Sequence, residues 1–178
     1  MYPFIELFTA CVFTLLFLYI EPSYWLGYAT FFSALIVTMR TDIETLLISR
    51  YVTVVLIPLA LVFSLAGLLP LTLYESILGT VFGYIVLWAV AHLFLLARNK
   101  EGIGEGDFEL LAMIGAFTGA TGVWMTLFIG AFIGSCFGVP LILAGAPAES
   151  TKIPFGSCLA LAGIIYVFLQ QVLIAYLV

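Results

Sequence analysis

Two aspartates in this sequence, Asp42 and Asp107, each stand at a boundary between a hydrophobic stretch and a short polar one, Asp42 where the apolar run ends and Asp107 where the next begins. Two carboxyl groups held close together cannot both ionise easily, so one keeps its proton while the other is charged. Such a pair can hydrolyse a peptide bond. The charged member takes a proton from a bridging water, the water attacks the carbonyl, and the protonated member polarises that carbonyl and then helps the amine leave. Which aspartate holds the proton is a property of the pair. Taken singly, each residue has a plainer role: Asp107 as the N-cap of the helix that follows it, and Asp42 as a solvated or capping residue at a membrane surface. The chemistry therefore depends on whether the fold brings the two together.

The stretch before Asp107 reads Lys100-Glu101-Gly102-Ile103-Gly104-Glu105-Gly106, and Phe108-Glu109-Leu110-Leu111 then begins an apolar segment. Glycines at alternate positions let a backbone lie close to another strand or turn left-handed. Gly104, Glu105 and Gly106 are thus candidates to support Asp107. Glu44 and Glu109 lie two residues from Asp42 and Asp107, and Glu6 sits in an apolar opening segment; these three acids complete the candidate set. Metal ligation is not expected, because one histidine and three scattered cysteines (Cys11, Cys136 and Cys158) make no ligand cluster. The cysteines read as small buried hydrophobes, and no cofactor is implied.

The elements that must position these residues follow from composition. The chain has 178 residues, 65% hydrophobic and 8% charged, with a mean hydropathy of +1.28. Soluble domains carry about 25% charged residues, so this inventory cannot make a water-facing surface. The expected fold class is all-α, a polytopic membrane helix bundle forming a single membrane-embedded domain over 1–178. Apolar runs of bilayer length predict about seven transmembrane helices, at 4–20, 23–39, 51–70, 74–97, 108–121, 123–144 and 157–177, with a turn at Gly119-Ala120-Thr121-Gly122 dividing the longest run. Alternating ten-residue strands are absent, which argues against a membrane barrel. No basic region precedes the first helix, so it does not read as a signal peptide.

All five Lys and Arg residues fall on one side of a seven-helix arrangement: Arg40 and Arg50, Arg98 and Lys100, and Lys152. The positive-inside rule makes that side cytoplasmic, with the N-terminus inside, and it places Asp42 and Asp107 at the same surface. Five cations cannot form a basic patch, so nucleic acid is not an expected partner; the lipid bilayer is. Gly115, Gly119, Gly130, Gly134 and Gly138 recur every four residues and suit close helix packing. Pro58 predicts a kink in the third helix. Tyr51, Tyr74, Trp25 and Trp124 read as interface anchors, while Trp88 and His92 read as packing residues, the histidine hydrogen-bonded.

Four segments, in order, resemble the type IV prepilin peptidases, members of the GxGD membrane aspartyl proteases. Tyr2-Pro3-Phe4-Ile5-Glu6-Leu7 resembles the family's YPxxEL opening. Thr41-Asp42, with Ile48 six positions on, resembles the segment of its first catalytic aspartate. Lys100 to Asp107, followed by Phe108-Glu109-Leu110-Leu111-Ala112, resembles its GxGD segment. Pro154-Phe155-Gly156-Ser157-Cys158-Leu159-Ala160-Leu161 resembles its PFGPxLAL segment. The resemblance implies an endopeptidase with Asp42 and Asp107 as its catalytic residues. It would remove the short basic leader from type IV prepilins or pseudopilins of a type IV pilus or type II secretion system, at the cytoplasmic face of the inner membrane. Rim acids could attract such a leader.

Two departures stand out. The family's Ile-Pro-Asp or Ile-Pro-Asn after the first aspartate is Ile48-Ser49-Arg50 here, and the lysine two residues after the second is Glu109. A cation at Arg50 would favour an ionised Asp42 if it reached it. The cysteine pairs of the family's methyltransferase region are missing, so methylation is not expected of this chain, and a separate methyltransferase is a possible partner. Competing readings are a presenilin-like intramembrane protease, against which Thr41 before the first aspartate counts, a small ion-binding transporter, and an inactive assembly component of a pilus or secretion system.

Overall fold

The computed structural model describes residues 2–98, 104–143 and 154–177. Six helices follow one another: α1 Tyr2–Tyr19, α2 Trp25–Thr45, α3 Arg50–Leu65, α4 Leu73–Arg98, α5 Glu105–Leu143 and α6 Phe155–Leu177, with a single 3-10 turn at Pro22–Tyr24 between α1 and α2. There is no strand among the described residues, and the all-α reading holds. Three segments, Leu73–Ala97, Glu105–Pro140 and Phe155–Val172, are long and apolar enough to cross a bilayer, and Pro3–Tyr19 and Arg50–Leu65 are shorter apolar helices. The protein is an integral membrane protein. Lys100 and Lys152, on which the topology reading drew, and Glu101 lie outside the described residues.

The break expected inside the longest apolar run falls at Gly119, whose φ of 73° and ψ of −178° interrupt α5. A Cβ on Gly115 would come within 2.7 Å of Val123 Cγ2. Eight residues of straight helix would separate such positions by about 12 Å, so the chain folds back sharply at Gly119. The expected seven helical rods are thus present, the fifth and sixth being the two arms of α5.

The first arm of α5 is the centre of the bundle: every residue from Asp107 to Gly119 is buried. A helix that is apolar all round belongs inside. Phe31 of α2 stacks on Phe117 at 4.8 Å, and Phe32 meets Phe168 of α6 at 5.2 Å. Lipid is as apolar as leucine, so such contacts hold helices together by close packing rather than by escape from water. Glycine makes the closest approach. A Cβ on Gly79 of α4 would strike the Gly115 carbonyl oxygen and the Gly119 backbone, and one on Gly83 would lie 2.5 Å from the Leu111 oxygen. Gly115 and Gly119 therefore serve the packing expected of them, and their partner on α4 is Gly79, while Gly83 lies against Leu111 and Ala112. Gly130 faces Leu159 of α6.

Several readings need correction. The second helix does not stop at 39 but runs to Thr45, because Arg40 and Glu44 pair one turn apart at 3.2 Å and sustain the helix through its polar end. It closes at Leu46, a non-glycine residue at φ 55°, whose N–H donates to the Asp42 carbonyl at 2.8 Å. The fifth helix starts at Glu105, three residues early. Asp107 is therefore not an N-cap; it lies in the first turn and its N–H donates to Gly104 O at 3.1 Å. Cys11 and Cys136 are exposed on lipid-facing helices, and only Cys158 is buried. Trp88 is half-exposed and stacks face to face on exposed His92 at 5.2 Å, so neither is core packing. Tyr51, Tyr74 and Trp124 are exposed as anchors should be, whereas Trp25 is partly buried with its indole N–H on Ile20 O. Pro58 lies within α3 without ending it.

Candidate active site

Three helix ends converge at one end of the bundle: the last turn of α2, the first turn of α5 and the first turn of α6. Asp42 comes from the first, Asp107 from the second, and Gly156 with Ser157 from the third. Gly156 lies between the carboxylates. A Cβ built on it would stand 3.1 Å from Asp42 Oδ2, 3.1 Å from Asp107 Oδ1 and 2.6 Å from Ile48 Cδ1. The two oxygens are therefore no farther apart than twice 3.1 Å, and only a residue without a side chain leaves the space between them open. Both aspartates are almost wholly buried, at 5% and 8% exposure.

Asp42 is held by α6. The Ser157 backbone N–H donates to its Oδ2 at 2.6 Å, and the Ser157 hydroxyl is 2.7 Å from the same oxygen. This N–H belongs to the first turn of α6, where backbone donors have no partner inside the helix. The bend after α2 brings Ile48 beneath both junctions: its Cβ lies 3.0 Å from a Gly106 Cβ position, and its Cδ1 reaches Gly156. Gly106 thus permits α5 to start close against Ile48. Gly104 bounds Asp107 on its other side, its own Cβ position lying 3.7 Å from Asp107 Oδ2.

The remaining candidates separate. Glu109 is buried beside the pair and fully engaged. Its Oε1 accepts from Arg50 Nη2 at 2.6 Å and its Oε2 from the Thr53 hydroxyl at 3.2 Å. The two departures from the family pattern thus meet each other, and Arg50 is spent on Glu109 rather than on Asp42. Glu44 is exposed and turned to Arg40. Glu105 is exposed in the first turn of α5. Glu6 is exposed on α1, with no hydrogen bond or ion pair to either aspartate among the described residues. Because Glu44 and Glu109 each carry a cation partner, the rim is less acidic than a count of carboxylates suggests. No group of three metal-ligating side chains occurs among the described residues.

Ser157 and Thr53 were not among the sequence candidates, and Gly156 entered only as part of a resembling segment. A serine in the first turn of an apolar helix carries no mark of a partner 115 residues away.

A model of the type IV leader peptidase family matches residues 29–139, a span holding both aspartates. The chain belongs to that family. Relatives named prepilin leader peptidase/N-methyltransferase bear this out. That of Aeromonas salmonicida (strain A449) is 34% identical over 164 residues, covering 91% of this chain and 56% of the relative. The Xanthomonas campestris pv. campestris protein is 36% identical over 146 residues, 81% of this chain and 50% of its own length. A Pseudomonas aeruginosa protein is 42% identical over 92 residues, 52% of this chain and 32% of the relative. The chain therefore spans about half the length of the curated relatives it matches. No solved structure matches it.

Proposed function

We propose that this type IV leader peptidase family member is an aspartic endopeptidase that removes the basic leader from prepilins or pseudopilins, with Asp42 and Asp107 as its catalytic pair. The observation that carries the reading is the cradle at Gly156, against which one oxygen of each buried carboxylate stands at 3.1 Å. A water bridging the pair gives a proton to the ionised carboxylate, and its oxygen bonds to the scissile carbonyl carbon. The protonated carboxyl delivers its proton to the carbonyl oxygen. Collapse of the tetrahedral adduct breaks the C–N bond as the proton taken from water goes to the departing amine, and one hydroxyl proton of the adduct returns to the carboxylate that had protonated the carbonyl oxygen. Both carboxyl groups are needed, since neither can be acid and base at once.

The proposed setting is the cytoplasmic face of the inner membrane. Arg40 and Arg50 lie at the same end of the bundle as the aspartates, and cations gather on the cytoplasmic side. Exposed Gly104 and Glu105 flank Asp107 there, so an extended segment just outside the bilayer has access to it. Leader removal would serve a type IV pilus or a type II secretion system. The curated relatives carry a double name, and the reading here concerns the peptidase alone.

The test uses the purified chain in detergent or lipid with a prepilin bearing its leader. Asp42→Asn and Asp107→Asn are each expected to abolish cleavage while leaving the helical fold intact. Undiminished turnover in either variant would remove the paired-aspartate mechanism.

A further inference from the structure

Asp42 and Asp107 are not equivalent in their surroundings. Two donors from one residue, the Ser157 N–H at 2.6 Å and the Ser157 O–H at 2.7 Å, converge on Asp42 Oδ2. Ser157 is itself buried, at 7% exposure. Its hydroxyl proton has a second acceptor within reach, the Met39 carbonyl at 3.1 Å. A hydroxyl has one proton to give, and hydrogen bonds to an ionised acceptor are shorter and about twice as strong as those to a neutral one. The shorter contact to Asp42 therefore takes the proton when Asp42 is charged. If Asp42 instead held the proton, its O–H would donate to the Ser157 oxygen and the Ser157 proton would pass to the Met39 carbonyl, a longer contact to a neutral acceptor. Asp107 is met by the Gly104 backbone and by no side-chain donor among the described residues.

We propose that Ser157 is a positioning residue that makes Asp42 the ionised, water-activating member of the pair and leaves Asp107 to carry the proton. The assignment rests on the paired-aspartate reading above and goes beyond it by dividing the two roles. Ser157 acts through Asp42. The other titratable groups around Asp42 are Asp107 on α5, Cys158 on α6, which feels both carboxylates, and Arg40 and Glu44 on α2, which pair with each other. Arg50 on α3 and Glu109 on α5 are likewise joined to one another.

The sign follows directly. Donors to a carboxylate favour its charged form, so removing them should move the acid limb of kcat/KM to higher pH. The full chain, in lipid, would be assayed on a prepilin bearing its leader across the pH range, as Ser157→Ala, Ser157→Thr and Ser157→Pro. Alanine keeps the N–H and loses the hydroxyl, and should move the acid limb up by about one pH unit. Proline loses both donors and should move it farther, while the helix sacrifices no internal hydrogen bond. Threonine should restore the native profile. An unmoved acid limb in both Ser157→Ala and Ser157→Pro would overturn the proposal, and so would an equal loss at every pH. Either result, with Asp42→Asn and Asp107→Asn still inactive, leaves the paired-aspartate reading standing; turnover in those variants overturns that reading itself.

Discussion

Arg50 Nη2 lies 2.6 Å from Glu109 Oε1, which ties the first residue of α3 to the first turn and a half of α5. Glu109 follows Asp107 by two residues, and its second oxygen is bound by Thr53 one turn farther along α3. The carboxylate is buried while the guanidinium is mostly exposed. The pair therefore works as a clip: it satisfies a buried charge, and in doing so it fixes where the Asp107-bearing arm meets α3.

Breaking the clip from its two sides should give unequal results. Arg50→Ala leaves a buried carboxylate without its cation, which is the costly way to open an ion pair. Glu109→Gln leaves an exposed arginine that water can solvate and a neutral side chain that still reaches Thr53. Thermal unfolding in detergent is expected to show the larger loss of Tm for Arg50→Ala, and prepilin cleavage should fall further in that variant. The reversed pair, Arg50→Glu with Glu109→Arg, should recover part of both. Equal losses in the two single variants would show that the buried charge is not what the clip answers.

Gly156→Ala should be close to inactive. Its methyl group would stand 3.1 Å from an oxygen of each aspartate and 2.6 Å from Ile48 Cδ1, and it would occupy the space between the carboxylates. Ile48 has a flexible end that can move aside, but the two carboxylates are held. The expected fall in kcat is at least about 100-fold, the size attached to misplacing reacting groups by about 1 Å. Adding Ile48→Val should relieve the contact with Ile48 without restoring cleavage. Recovery in the double variant would place the obstruction at Ile48 and not at the acid pair.

Two glycines outside the site separate backbone strain from packing. Gly67 has φ 72° and nothing within 4 Å of its Cβ position. Gly67→Ala should cost only the left-handed penalty, about 1 kcal/mol. Gly79 is helical and unstrained, yet its Cβ position is filled by the Gly115 and Gly119 backbone. Gly79→Ala must push α4 off the first arm of α5, and overpacking against immovable backbone stands at the upper end of such costs, about 3 kcal/mol. Unfolding measured on both variants should rank Gly79→Ala as much the worse. The opposite order would mean that α4 and α5 are not in tight register.

The two aspartates were legible because charge is rare in so apolar a chain and because each borders a long hydrophobic run. The glycine break inside α5 was legible for a related reason, since no bilayer accommodates so long an apolar run as one span. Helix ends were less so. Leu46 closes α2 in the left-handed region, where a reader looks for glycine or asparagine, and the polar end of α2 looks like a loop until Arg40 is seen to pair with Glu44. Arg50 and Glu109 were each noticeable alone, but no spacing rule says that the start of α3 faces the start of α5. Ser157 was invisible for the same reason. Its significance lies in a contact made across most of the chain, and the resembling segment marked the position only by a serine where the family pattern has proline. Lipid blurred the burial of Cys11, Cys136 and Trp88, because an apolar residue on this surface needs no neighbour to be at ease.

The site draws on α2, on the first arm of α5 and on the opening turn of α6, which emerge from the ribosome far apart in time. A chain synthesised through α5 already holds both aspartates, yet it lacks the glycine that spaces them and the serine that grips one of them. On the proposed mechanism, competence to cut would arrive only with α6, and a nascent copy would remain inert towards passing polypeptides until that helix is in place.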